Sequence, residues 1–82
     1  MNLRQLQYFK TIAELEHYTR AAEKLYVSQS NLGHSIQELE DELNVEFFVR
    51  KGRNIKLTKY GELFLPYVSQ ALNLLDTGVA RL

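Results

Sequence analysis
The 82-residue chain contains no cysteine, which removes both a disulfide framework and a thiolate metal site. Its two histidines, His17 and His34, are isolated from one another, and they make a poor ligand set, so neither a metal nor any other cofactor is expected. No apolar run approaches the roughly 18 residues of a membrane span, and Met1-Asn2-Leu3-Arg4 opens no secretory pattern, so the expected setting is cytoplasmic with no membrane partner. Proline occurs once, at Pro66, and there is no linker-like, repetitive or low-complexity stretch. Paired carboxylates, a histidine-containing triad and a glycine-rich phosphate loop are also missing, which leaves an enzymatic reading, such as a small hydrolase, without a site. Net charge is absent too: ten basic residues balance ten acidic ones. Taken as a sum, that balance argues against nucleic acid, whose binders are usually basic. A chain this short builds one small core, burying about 60 to 65% of its unfolded surface.

The distribution of charge is less bland than its total. Five carboxylates fall between Glu38 and Glu46, whereas Arg50, Lys51, Arg53, Lys56 and Lys59 follow within ten residues with no acid among them. Two solvated faces of opposite sign would account for this pattern, and so would a polarised binding surface.

Helical periodicity dominates the first half. Asn2-Leu3-Arg4-Gln5 has the form of a capping box, and Leu6, Phe9, Ile12 and Ala13 follow at helical spacing, which predicts a helix to about Glu16. Thr19 is the expected N-cap of a short helix from Arg20 to Leu25, where Ala21 and Ala22 are small enough to let another helix cross closely. Ser28 is the next good N-cap. The pattern is helix, tight turn, helix.

In the third helix Leu32, Ile36, Leu39 and Leu43 share one face, and Ser30, His34, Gln37 and Asp41 share the opposite one, with Asn31 beside them and Gln29 near the start. Short donors and acceptors crowd the first two turns, while carboxylates begin only at Glu38. A helix entering a DNA major groove by its N-terminal end needs that order, because base edges require such groups and the phosphate backbone repels carboxylates. An ordinary polar helix surface is the competing reading. Beyond it, Val45, Phe47 and Val49 alternate as a strand, Lys51-Gly52-Arg53-Asn54 carries turn chemistry, and Ile55 with Leu57 alternates again. A hairpin with a basic tip results, either a wing for phosphates and a narrow minor groove or only a soluble loop.

Thr58 caps a final helix running toward Leu82, with Pro66 as an expected local kink. Leu65, Val68, Leu72, Leu75, Val79 and Leu82 form one apolar row; Tyr60, Phe64, Tyr67, Ala71 and Leu74 form a second, about 100° round. One small domain cannot use both rows. The expectation is that the second docks on the core and the first contacts another copy in a two-fold dimer, against the alternative of a wholly intramolecular helix.

The ordered set of these residues resembles the LysR-type transcriptional regulators of bacteria. It comprises Leu6-x-x-Phe9, Thr19-x-Ala21-Ala22-x-x-Leu25-x-Val27-Ser28-Gln29, Leu32, Ile36, Leu39-Glu40-x-x-Leu43, Phe48-x-Arg50, Gly52-Arg53 and Leu57-Thr58-x-x-Gly61, and it covers the whole chain. The resemblance implies a mainly α fold: a winged helix-turn-helix of three helices and a short β-hairpin over residues 1–58, then a dimerising linker helix over 59–82. It also implies an inverted-repeat double-stranded DNA operator as partner, bound by a homodimer. A small-molecule effector would act only through a C-terminal domain beyond these residues, so no ligand pocket is expected. DNA-facing positions are implied at Thr19, Arg20, Ser28, Gln29, Ser30, Asn31, Gly33 and His34, with Arg50 and Arg53 on the wing. Three positions depart from the family pattern, which commonly has Pro at Ser30, Ser at Gly33 and Arg at His34. The loss of Arg removes the strongest bidentate reader of guanine, so the preferred half-site must differ from the common one. A helix-turn-helix adaptor that binds protein instead of DNA is the alternative function.

Overall fold
The computed structural model describes residues 1–52 and 54–82, so the wing residue Arg53 lies outside the described residues. These residues form α1 (Leu3–Leu15), α2 (Tyr18–Leu25), α3 (Gln29–Leu43), β1 (Phe48–Lys51), β2 (Asn54–Leu57) and α4 (Lys59–Ala80). The three-helix body, the antiparallel hairpin and the long last helix match the winged helix-turn-helix expectation.

Side-chain caps set most boundaries. Asn2 and Gln5 close a reciprocal capping box: the Asn2 Oδ1 accepts from the Gln5 N–H at 2.8 Å and the Gln5 Oε1 from the Asn2 N–H at 3.2 Å. Two orphan donors of α1 are thereby satisfied. Ser28 and Thr58 cap α3 and α4 as expected, each hydroxyl accepting from the backbone N–H three residues on. Thr19 does not cap α2. The backbone is extended at His17, whose Nδ1 accepts from the Arg20 N–H at 3.2 Å. The helix therefore starts at Tyr18, and the Thr19 hydroxyl is released from capping.

The core lies where α1, α2 and α3 meet the hairpin and the first half of α4. Ala21 is fully buried, consistent with a close helix crossing, and Leu32, Ile36 and Leu39 are buried on α3. Leu43, expected to extend that face, is 36% exposed because it lies at the helix end beyond the core. An aromatic cluster joins the parts: Phe47 packs edge-on to Phe9 at 4.8 Å between ring centroids and stacks on Phe64 at 5.3 Å.

The first strand begins later than the alternation of Val45, Phe47 and Val49 predicts. Phe47 spends its N–H on the Glu40 Oε2 at 2.6 Å, so it completes only half of a ladder pair: its carbonyl accepts from the N–H of Thr58, the residue opposite it in register, at 2.9 Å. Pairing runs from Phe48↔Leu57 to Lys51↔Asn54. Gly52 has φ +62°, a left-handed conformation that favours glycine at the turn.

The two rows of α4 do not divide as expected, because both contribute to the intramolecular core. Val68 and Leu72 are 2% and 8% exposed, and Leu65 packs against the same core, so this half of the supposed dimer row docks on its own chain. Of the other row only Phe64 packs inward, while Tyr60, Tyr67 and Leu74 are exposed. The physical reason is Gly61. A Cβ there would lie 2.5 Å from the Phe47 carbonyl oxygen and 2.6 Å from Leu57 Cδ2, so α4 approaches the hairpin on its glycine side. Gly61 sits on the wheel with Leu65, Val68 and Leu72, and their row follows it inward. Leu75, Val79 and Leu82 continue that row but are exposed, since no residue after Leu72 is buried.

Two glycine substitutions test this packing in opposite directions. Gly61→Ala should cost about 1–3 kcal/mol through overpacking against backbone that cannot rotate away. Gly33→Ala meets nothing within 4 Å and should gain up to about 1 kcal/mol of helix propensity. Thermal unfolding of both variants checks the pair; an unchanged or raised Tm for Gly61→Ala would show that the close approach does not exist.

Candidate nucleic-acid interface
The N-terminal turns of α3 stand out from the body. Ser28, Gln29, Ser30 and Asn31 are exposed, as is His34, whose Nε2 lies 3.5 Å from the Glu38 Oε1 one turn along. Ser28 is committed to its cap, with Oγ accepting from the Asn31 N–H at 3.0 Å. Gln29 at the first helical position meets the first turn of α2: the Thr19 hydroxyl donates to the Gln29 Oε1 at 3.3 Å.

Between α3 and the wing runs a cleft of about 560 Å³, lined on one side by Gln29, Ser30, Gly33 and Gln37 and on the other by Val49 and Arg50. Tyr18 belongs to this lining and was not singled out by sequence reasoning. Its ring packs edge-on to Phe48 at 6.3 Å, and the Arg50 guanidinium carbon lies 5.6 Å from its centroid. Strand period puts Phe48 and Arg50 on one face, but that Tyr18 of α2 covers them is a tertiary contact that no local pattern displays. Burial pushes the Tyr18 hydroxyl above its ordinary range, with the Glu40 charge adding to the rise and Arg50 opposing it.

The structure thus gathers Gln29, Ser30, Gly33 and Arg50 around one cleft, with Thr19 at its edge through Gln29. Asn31 and His34 project from the same end of α3 but do not line the cleft. Arg20 is exposed on α2. Two carboxylates, Glu40 and Glu46, also line this cleft, and Glu40 is partly spent: its Oε2 takes the Phe47 N–H, so α3 is tied directly to the root of the hairpin. Burial raises the pKa of Glu40 above its ordinary value of 4.5, with the N–H groups of Phe47 and Phe48 pulling against that rise.

A hairpin carrying Arg50, Lys51 and Lys56 thus sits beside an exposed, uncharged helix start. Residues 3–62 match the family described as bacterial regulatory helix-turn-helix protein, lysR family. The chain belongs to the LysR family. It is similar to the transcriptional dual regulator GltC of Bacillus subtilis, 51% identical over 76 residues that make up 93% of this chain and 25% of GltC. Among solved structures it superposes on the BenM DNA-binding domain in its complex with benA site 1 DNA at TM-score 0.93 and 37% identity, covering 99% of this chain and 94% of that one. The CbnR DNA-binding domain in complex with DNA gives TM-score 0.91 at 37% identity, with 99% and 93% covered. The chain spans about a quarter of the length of GltC and of BenM from Acinetobacter baylyi. LysR proteins are transcription regulators, which is not an enzyme class. Among the described residues no helix is long and apolar enough to cross a membrane.

In this LysR domain the tie between α3 and the wing generates a stability prediction. The folded state holds a proton on Glu40 in a pH interval where the unfolded chain has already released it. This carboxyl therefore makes stability fall as pH rises from 4.5 through its raised native pKa, and adds no slope above. Glu40→Gln keeps an acceptor for the Phe47 N–H and should abolish that fall. Glu40→Leu strands the donor and should cost about 1–3 kcal/mol at neutral pH. Urea titrations across the range check both, and equal stability of the Leu and Gln variants would contradict the hydrogen bond.

Proposed function
We propose that this chain is the sequence-specific DNA-binding domain of a bacterial transcription regulator, working in the cytoplasm as a two-fold dimer on an inverted-repeat site. The observation that carries the reading is the exposed start of α3, where amide and hydroxyl groups precede any carboxylate and face a basic hairpin across one cleft. Such a helix enters the major groove by its N-terminus, whose dipole favours phosphate, and presents Gln29, Ser30, Asn31 and His34 to base edges. Gln29 and Asn31 carry amides that match adenine. Gly33 lets the backbone approach closely. Arg20 from α2 and Arg50 and Arg53 from the wing act on the phosphates, which position the domain without reading sequence. The membership of the LysR family and the likeness to domains solved on DNA support this reading.

Dimerisation belongs to α4. Leu63, Tyr67 and Leu74, at 66%, 70% and 72% exposed, form an apolar row with Tyr60 on a helix whose residues 73–80 stand clear of the core. Leu75 and Val79, from the row first expected, lie on the free half at 47% and 69% exposed and can join the contact. The occupant is a second copy, since closed two-fold pairing is the usual way to cover such a row and matches a palindromic site.

Two measurements test these statements. Selection from a random duplex pool should recover an inverted repeat, and Arg50→Ala and Arg53→Ala should each weaken binding to all duplexes alike, lowering the salt slope by about one. No binding to mixed-sequence duplex at low salt would leave only the adaptor reading. Sedimentation of the unmodified chain should show a dimer and that of Leu63→Asp/Tyr67→Asp a folded monomer; a monomeric unmodified chain at high micromolar concentration would refute the α4 contact.

A further inference from the structure
The reading of bases by Gln29 depends on how its amide is turned, and the structure carries a device for turning it. Glutamine has three rotatable bonds, and an exposed one at a helix start ordinarily samples several orientations at an entropic cost when it is fixed. Here the Thr19 hydroxyl, ten residues earlier on another helix, donates to the Gln29 Oε1 at 3.3 Å. Three features place it there. His17 supplies the cap of α2, so the threonine hydroxyl has no capping duty. Ala21, fully buried, lets α2 lie close to α3. Gln29 itself borders the cleft that faces the wing.

We propose that Thr19 is a positioning residue for base recognition: it holds the Gln29 carbonyl oxygen toward α2 and so aims the amide before DNA arrives. The inference rests on the DNA-binding reading and extends it. A carbonyl oxygen has two lone pairs. With one taken by Thr19, the other remains beside the Nε2–H donor, and this edge complements the N6–H donor and N7 acceptor of adenine. A free amide can also rotate to offer both Nε2 hydrogens to the two acceptors of guanine. The held amide cannot do so without breaking the Thr19 bond, so Thr19 sharpens adenine over guanine while touching neither base.

The test measures affinity for the selected duplex and for one carrying guanine in place of adenine at the base pair whose preference disappears in Gln29→Ala. Thr19→Val, nearly isosteric but without the hydroxyl, should lower adenine-over-guanine discrimination at that pair by about two- to five-fold, as befits one neutral hydrogen bond. Thr19→Ser should retain it. In a Gln29→Ala background Thr19→Val should change nothing further. In the free protein, the side-chain amide of Gln29 should become more mobile by NMR relaxation in Thr19→Val and not in Thr19→Ser, a readout that needs no DNA. If Thr19→Val weakens every duplex by the same factor and leaves base preference intact, Thr19 is a phosphate contact and the proposal is wrong, although the domain still reads DNA. If the unmodified chain shows no base preference at all, the DNA-reading interpretation falls and this proposal with it.

Discussion

Phe47 is the residue at which α1, α3, the hairpin and α4 are joined. Its ring packs on both Phe9 of α1 and Phe64 of α4, which also touch each other, its N–H binds Glu40 of α3, and its carbonyl receives the Thr58 N–H that opens α4. Aromatic contacts of this kind add about 0.5–1.5 kcal/mol each beyond burial, and the two backbone bonds are directional. The ring alone could tolerate a shifted hairpin; the backbone bonds cannot. The third helix, the hairpin and α4 therefore keep one relative geometry.

The zero net charge ceases to be an objection once individual carboxylates are placed. Glu40 faces inward on the Phe47 N–H, Glu42 pairs with the Met1 ammonium, and Glu16 lies 3.5 Å from the Lys56 ammonium. Glu38 and Asp41 remain exposed, but on the half of α3 that lies beyond the first two turns. Field at a surface is local, screened over about 8–10 Å at ordinary ionic strength, so the acids that weigh against the wing cations are Glu40 and Glu46, which share the cleft with Arg50. The arrangement of charge along α3 matters more than its sum.

Helix starts governed by Asn2, Ser28 and Thr58 were legible because a cap is a local event, settled by a side chain and a donor three residues away. His17 was missed as a cap because histidine is outside the usual capping set, while Thr19 is inside it. The core face of α3 was legible through Ile36 and Leu39, which have one possible side. On α4 the choice was between two apolar rows, and periodicity cannot rank two rows that are both apolar. Gly61 carried the missing information, for a glycine in phase with Leu65, Val68 and Leu72 marks the side where backbone can come closest. The late start of β1 was illegible for another reason: alternation at Val45, Phe47 and Val49 records side-chain direction, whereas strand membership depends on where each N–H and C=O is spent.

The same reasoning explains why the interface divides as it does. The exposure of Gln29, Ser30, Asn31 and His34 was readable from the sequence, since it follows from one helix wheel. Contacts from other elements were not: Thr19 of α2 on Gln29, and Tyr18 of α2 against Arg50 of β1. These contacts join residues that share no periodic pattern, so no wheel displays them. They also act differently in energy. A side chain that touches a base sets which pairing is possible, whereas one that holds a reader in place reduces the ordering still to be done on binding. Where guanine's best reader, arginine, is replaced by His34, discrimination falls more heavily on amide groups whose two ends differ by a single atom. Orientation then becomes part of the recognition code, and the first turn of α2 enters the specificity of the domain as an instrument of α3.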